Sequence, residues 1–497
     1  MIGNQHDFAF DLVPVSPSWE TRYAPERAAW TGIAIWANGR NLCRNIVPGT
    51  SEVHEYLFVP AAPLADWIVR SFPAIEFEER AAQYPTNRSL HESVARWGES
   101  APPDGLSDDA WVEEREAWWG RHFLRAGSDG ARLPNLALVR DDERLVLNWV
   151  SPRFAGAYPP ELIEVEGTHA LPWVLGSGVL RDFVKAVGAW LQDAGLQGQF
   201  PWAAAREPIR AVDTPIESRL ELYTGRKLPQ LAEVLGARKV EAIVHDLTQN
   251  GRDPAAIPEF QVLRDLSPKI NHEVGEVLAA ISERVTHPDP QALDRLRSAR
   301  QLAADAARPA EALVDAGYLA AGELRRELRL DGRPVRNIPE VLAQLGVSYE
   351  HVEAEGGHER MMVVFSGRGS AVARTLTTAR TATNWGRRFE ASRSLGHALL
   401  DPLRANTLGA ATGPFAQESR RHRSGAFAAA FLLPDEAMAL ASGGRLDGAA
   451  THAAFTALLE QYGVGATTAA YHLWNRGWLS SPDVRDDLID RFAAQNV

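Results

Sequence analysis

The chain has 497 residues, a length that allows two to four domains with sizeable cores. An apolar fraction of 45% and 15 Trp exclude a disordered protein, and a net charge of −12 argues against a whole molecule that binds nucleic acid non-specifically. The single cysteine, Cys43, excludes an internal disulfide and a Cys-rich zinc site, and we interpret it as a small core residue in a strand.

The first residues and the apolar runs indicate where the protein resides. Residues 1–7 are polar and lack the cationic, apolar character of a secretory signal. The longest apolar runs, such as residues 425–433, are shorter than the roughly 20 residues that a membrane span needs. We therefore expect a cytoplasmic protein without a membrane partner.

Residues 1–205 hold twelve of the fifteen Trp and are predicted to form a Trp-rich α+β domain. Asn38-Gly39 lies between two apolar runs and predicts a hairpin, because these residues tolerate the positive φ of a type I′ turn. Three more elements are predicted: a hairpin over residues 136–149, a helix capped by Ser107 and an amphipathic helix over residues 180–191. The tryptophans could line a ligand groove, but their spacing is more typical of core residues.

Residues 206–310 are predicted to form a helical middle region. Within it, residues 228–238 have the pattern of the first half of a helix-turn-helix, which would read DNA. Any helix that ends in Gly before another helix shows the same pattern, so the ordinary helical interpretation is preferred.

Residues 311–497 are predicted to form the third domain. Its predicted elements are a short helix ending at Gly346, a strand after it, two strands joined at residues 367–369, helices over residues 385–400 and 425–433, and two small helices around residues 463–465. Pro434 stops the second of the larger helices. The whole chain is thus predicted to be a multidomain α+β protein.

The charge is unevenly spread along the chain. Residues 358–424 contain eleven Arg, no Lys and four acidic residues, a local balance of +7, which leaves about −19 for the rest. Such an asymmetry is typical of a surface that faces an anion.

The helix over residues 385–400 has the outline of a zinc-peptidase helix. Such a helix carries two His four residues apart, because these positions share one face and can hold one ion, with a Glu after the first His that polarises the attacking water. Here His397 occupies the second His position. Arg393 stands at the first His position, and Ser394 stands at the Glu position.

Four short segments at matching spacing extend this similarity: Arg388-Phe389, Leu395-Gly396-His397, Phe427-Ala428-Ala429 and Leu432-Leu433-Pro434. With them the region from about 315 to 485 resembles the ImmA/IrrE family of bacterial metallopeptidase-like proteins. The resemblance implies a zincin-like fold for the C-terminal domain. It also implies a zinc peptidase that often cleaves a partner repressor in phage immunity, stress response or toxin control.

The chain departs from the family at the positions that carry the chemistry. The third zinc ligand, six residues before Phe427, is replaced by Arg421, so Arg393, Ser394, His397 and Arg421 form a degenerate motif. We therefore predict no catalytic residue, no metal and no cofactor. If zinc is bound at all, His397, Glu418 and His422 are the candidate ligands, because a catalytic zinc still needs three ligands from the protein.

Arginine at two of three ligand positions points to a different chemistry. The guanidinium group matches carboxylate and phosphate through paired hydrogen bonds. The anion-binding candidates are Arg387, Arg388, Arg393, Arg420, Arg421 and Arg423. The alternative is that Arg393 pairs with Glu390 and Arg421 with Glu418 inside the domain. His397 is then a packed core histidine.

These observations predict a catalytically degenerate ImmA/IrrE-like protein that binds and regulates a protein partner or an anionic ligand, in phage defence or stress response by implication of the family. One alternative is an active zinc metallo-endopeptidase with rebuilt ligands. The other is a nucleic-acid sensor that uses the Arg-rich C-terminal face.

Overall fold

A computed structural model describes most of the chain. The described residues are 1–15, 27–47, 51–78, 107–127, 133–150, 161–164, 166–211, 214–251, 253–266, 275, 278–279, 290–310, 313–354, 361–367, 370–378, 384–403, 407–412, 418–442 and 449–493. The chain divides into two compact units, Met1–Leu228 and Pro229–Val497. Both contain helices and sheets, which confirms the α+β class.

The first unit is built around three antiparallel sheets. Its described strands are β1 (Ile2–Asn4), β2 (Phe8–Pro14), β3 (Trp30–Ala37), β4 (Arg40–Asn41), β5 (Asn45–Ile46), β6 (Val53–His54), β7 (Leu57–Pro60), β8 (Leu136–Asp141), β9 (Arg144–Val150), β10 (Glu161–Leu162) and β11 (Glu166–Pro172). The largest sheet has the order β1-β2-β3-β4 with β7 beside β3, and the others have the orders β10-β5-β6 and β11-β9-β8.

Four helices accompany these sheets in the described residues: α1 (Ala61–Phe77), α2 (Asp108–His122), α3 (Trp173–Asp193) and α4 (Ile216–Thr224). The predicted cap of α2 is confirmed, since Ser107 Oγ accepts a hydrogen bond from the Ala110 amide at 3.2 Å. The predicted amphipathic helix is α3, whose Phe183 ring packs 4.4 Å from the Phe10 ring of β2.

Both predicted hairpins are present. Asn38 and Gly39 have φ values of 51° and 74°, the positive φ that a type I′ turn requires, and they join β3 to β4. β8 and β9 form the second hairpin, with Asp141 paired to Arg144.

Several tryptophans of this unit are core residues, as expected from their spacing. Trp67, Trp149 and Trp173 belong to the hydrophobic core around α1 and α3, and Trp118 stacks on the buried His122 at 4.4 Å. Cys43 is fully buried, and burial raises the pKa of its thiol to about 12. Its predicted place in a strand is wrong: it lies in the turn between β4 and β5.

The second unit is mainly helical. Its described helices are α5 (Leu228–Leu235, which begins at the division), α6 (Ala237–Asn250), α7 (Pro258–Asp265), α8 (Pro290–Ala307), α9 (Leu313–Glu327), α10 (Ile338–Gln344), α11 (Asn384–Leu400), α12 (Glu418–Leu432), α13 (Asp435–Ser442), α14 (Ala449–Tyr462), α15 (Ala466–Asn475) and α16 (Pro482–Ala493). The predicted helical middle region therefore contains α4 to α8, and it contributes to both units. Gly236 joins α5 to α6, so this segment is a helix that ends in Gly before another helix.

The strands described in this unit form one four-stranded sheet. Its strands are β12 (Val347–Ala354), β13 (Met361–Gly367), β14 (Ser370–Thr378) and β15 (Leu408–Thr412). They lie in the order β12-β14-β13-β15, with β12 parallel to β14 and the other pairs antiparallel. α8, α9, α11, α12 and α14 share one hydrophobic core with this sheet.

Among the described helices of the chain, none combines the length and apolar character that a membrane span requires.

Candidate functional site

The four residues singled out from the sequence, Arg393, Ser394, His397 and Arg421, lie on two helices that pack closely against each other. α11 carries residues 393–397, and α12 carries residues 420–423. At the crossing, a Cβ on Gly396 would lie 3.1 Å from the Phe427 ring, so the small residue allows the close approach. This contact brings the segments that carry the family resemblance next to each other in space.

His397 is buried, with 1% of its side chain exposed, and its ring is held by Asp401, which directly follows the last residue of α11. The distance from His397 Nδ1 to Asp401 Oδ2 is 2.8 Å. If Nδ1 carries the proton, as this carboxylate contact favours, the lone pair of the neutral ring is on Nε2. Within the described residues, Nε2 has no hydrogen-bond partner.

Asp401 is contacted by arginines of two other helices. Arg423 of α12 donates from Nη2 to Asp401 Oδ1 at 2.8 Å, and Arg300 of α8 donates to the Asp401 and Ala398 carbonyls. Burial alone would raise the pKa of the Asp401 carboxyl. The hydrogen bond and charge of His397, and the charges of Arg423 and Arg420, outweigh burial and hold this pKa well below its usual range. Asp401 is therefore an ionised carboxylate at the centre of a buried polar cluster.

The two residues that replace the first His and the Glu both interact with their own helix. Arg393 Nη1 lies 3.6 Å from Glu390 Oε2, an ion pair with both side chains mostly buried, which confirms the internal pairing considered from the sequence. Ser394 is fully buried, and its hydroxyl donates to the Glu390 carbonyl at 2.9 Å.

Arg388, one of the anion-binding candidates, binds the backbone of its own unit. Its Nε donates to the Gly463 carbonyl at 3.1 Å, and its two Nη atoms donate to the carbonyls of Val335, Arg336 and Tyr462. Four of its five N–H donors are thus used by the backbone, and they tie α11 to the segment before α10 and to the turn after α14.

The remaining candidate residues differ in their exposure to solvent. Arg387 and Arg421 are half-buried, Arg420 is 2% exposed, and His422 is exposed. The side chain of Glu418 lies outside the described residues, and so does its suggested pair with Arg421.

The residues at the family's ligand positions do not fit zinc. Of Arg393, His397 and Arg421, only His397 can donate a lone pair to a metal ion, and a zinc site needs three ligands from the protein. Among the described residues, no group of three or more His, Cys, Asp and Glu side chains could hold a metal ion.

Two members of the buried cluster were missed from the sequence. Asp401 could have been predicted from the sequence, because a carboxylate four residues after a histidine lies on the same helix face. Arg300 could not have been predicted, because it lies 101 residues before Asp401 and reaches it only through the packing of α8 against α11.

Comparison with known proteins assigns no family and no function to the chain. No family model, no curated protein and no solved structure matches the chain.

Proposed function

We propose that this protein is a catalytically degenerate relative of the ImmA/IrrE peptidases, which binds and regulates a protein partner or an anionic ligand instead of cleaving it. The proposal rests on Ser394, which stands at the position where the resemblance implies the general base. Its hydroxyl is buried and donates to its own helix, and an alcohol at neutral pH does not take a proton from water as a carboxylate does. A role in phage defence or stress response follows from the resemblance alone.

The chemistry of the ligand follows from the arginines of the two packed helices. A guanidinium keeps its charge when it is buried and forms paired hydrogen bonds with carboxylate or phosphate. Arg387 and Arg421 are half-buried, whereas Arg420 is 2% exposed, so we assign the first contact with an acidic partner to these two and not to Arg420. Arg393 and Arg423 already pair with Glu390 and Asp401, and Arg420 is almost fully buried.

The zinc content of the purified protein tests the non-hydrolytic part of the proposal. We expect wild-type protein from zinc-supplemented cells to carry far less than one zinc per chain, and His397→Ala to leave that content unchanged. Elemental analysis after gel filtration measures it. Stoichiometric zinc that His397→Ala removes would overturn the proposal in favour of a metallo-endopeptidase with rebuilt ligands.

Binding to the products of adjacent genes, each purified and tested singly, examines the recognition part. We expect one of them to bind the wild type and Arg326→Ala, a control on the exposed face of α9, whose side chain is 69% exposed. The double variant Arg387→Ala/Arg421→Ala should bind it at least tenfold more weakly. Salt-dependent binding to DNA that the double variant loses, with no protein partner, would instead identify a nucleic-acid sensor.

A further inference from the structure

The outer edge of the C-terminal sheet is occupied by a helix of the same unit. β15 is the last strand of the sheet, and its residues 408–412 are Leu-Gly-Ala-Ala-Thr, without a charge or a proline. Charged residues and prolines are the usual protection of an edge strand against pairing with another chain. β15 has neither, so its protection must come from elsewhere.

Two side chains of α7 accept the hydrogen bonds that an added strand would accept. The outward amides of β15 belong to Gly409 and Ala411. Gln261 Oε1 accepts from Gly409 at 2.9 Å, and Asp265 Oδ2 lies 3.5 Å from the Ala411 nitrogen. Residues four apart on a helix are separated by about 6 Å, and alternate residues of a strand by about 6.6 Å, so the two spacings match.

The contact between α7 and β15 is held in place by its surroundings. Thr407 Oγ1 donates to the Ala256 carbonyl at 2.8 Å, just before α7. A Cβ on Gly409 would lie only 2.0 Å from the Pro258 carbonyl oxygen, so the helix approaches the strand as closely as glycine permits. Gln261 is 1% exposed, and its Nε2 donates to the Ala255 carbonyl, which directs its Oε1 towards the strand.

We propose that α7 is an intramolecular cover for the edge of β15, and that it prevents a second copy of this chain from pairing with this strand. A second copy is the partner to which the argument leads, because β15 is uncharged and can pair antiparallel with itself across a twofold axis. α7 satisfies the same amides by side chains, and a helix offers no further edge for growth.

Two variants should weaken the contact between α7 and β15, one in the helix and one in the strand. Gln261→Met removes the acceptor at nearly unchanged side-chain volume, and Gly409→Ala pushes the Pro258 carbonyl away. The controls are Gln301→Met, at an exposed position of α8, and Gly425→Ala, where an added Cβ meets nothing within 4 Å. We expect light scattering to give twice the wild-type mass for the two cover variants at high protein concentration, and the wild-type mass for the controls.

A third substitution identifies the surface through which the copies associate. Ala411→Pro removes an outward N–H and leaves the bonds between β15 and β13 intact, as prolines in edge strands do. Added to Gln261→Met, it should restore the wild-type mass. Doubling that persists in the double variant would place the association elsewhere and overturn the proposal.

Hydrogen exchange of the wild type and of Gln261→Met tests the cover independently of association. The amides of Gly409 and Ala411 should be protected in the wild type and should exchange at least tenfold faster in Gln261→Met at low protein concentration. Rapid exchange of both amides in the wild type, or folded cover variants that keep both the wild-type mass and the wild-type exchange rates, would show that α7 does not cover the edge.

Discussion

Asp401 is the residue around which the charges of the C-terminal unit are arranged. It fixes the ring of His397 on its own helix, receives Arg423 from α12 and is reached by Arg300 from α8. His397 therefore has a structural reason to be present that does not depend on zinc. The pairing of a histidine with a carboxylate is also the arrangement that orients metal-binding histidines in general.

Replacement of Asp401 by Asn should destabilise the C-terminal unit strongly. The neutral amide leaves the mostly buried Arg423 without its ionised partner, and removal of one member of a buried pair costs about 3–5 kcal/mol. We expect a clear fall in the denaturant midpoint. The control is Asp305→Asn on α8, whose half-exposed side chain pairs with Arg308 and should change stability by less than about 0.5 kcal/mol.

The same carboxylate predicts the sign of a pH dependence. The folded state lowers the pKa of Asp401, so its contribution to stability is complete above the ordinary carboxyl pKa near 4 and is lost as the pH falls towards the folded value. The difference in stability between wild type and Asp401→Asn should shrink as the pH is lowered from 5 to 3. A difference that stays constant over this range would show that the carboxylate is not a charged partner in the folded state.

At the scale of elements, small residues set how closely the helices of the second unit approach. Gly396 allows α11 to lie against the Phe427 ring of α12, and Gly317 allows α9 to lie against the backbone of α12 at Arg423. α12 is thus packed closely by two helices, with little room for added volume. This explains why the segment around Phe427 consists mostly of alanines and other small residues, since each larger side chain would separate the helices.

Two glycines of α9 give a matched test of this packing. A Cβ on Gly317 would lie 2.3 Å from the Arg423 carbonyl oxygen, whereas a Cβ on Gly322 would meet nothing within 4 Å. Gly317→Ala should destabilise by about 1–3 kcal/mol through overpacking. Gly322→Ala should stabilise by up to about 1 kcal/mol, because alanine is the better helix former. Thermal unfolding measures both, and equal shifts in the same direction would contradict the close approach of α9 and α12.

Local patterns in the sequence predicted the elements better than the contacts between them. Asn38-Gly39 specified a hairpin, and the period of apolar residues specified α3, because each of these signals lies within a short stretch of sequence. The role of Arg388 could not be read in this way. Its acceptors lie 52 to 75 residues away, and only the folded chain shows that they converge on one guanidinium.

At the scale of the whole molecule, the second unit begins well before the region that carries the family resemblance. The sequence suggested a domain from residue 311, but α7 and α8 already belong to the unit that starts at Pro229. α8 contributes Leu296, Ala299 and Ala303 to the same core as α11 and α12. α7 lies along the edge of β15. α8 therefore belongs to the packing around His397, and α7 belongs to the packing of the sheet.

Fragments cut at the two boundaries should therefore behave differently. Residues 229–497 keep α7 and α8 and should give a cooperative thermal unfolding transition. Residues 311–497 lose Arg300, the donor to the Asp401 and Ala398 carbonyls, together with the apolar face of α8 and the cover of β15. Unsatisfied buried carbonyls, exposed apolar surface and an open sheet edge all favour aggregation, so the shorter fragment should elute as large species without a cooperative transition. A monomeric 311–497 that unfolds at the midpoint of 229–497 would mean that the degenerate site is held by the C-terminal residues alone.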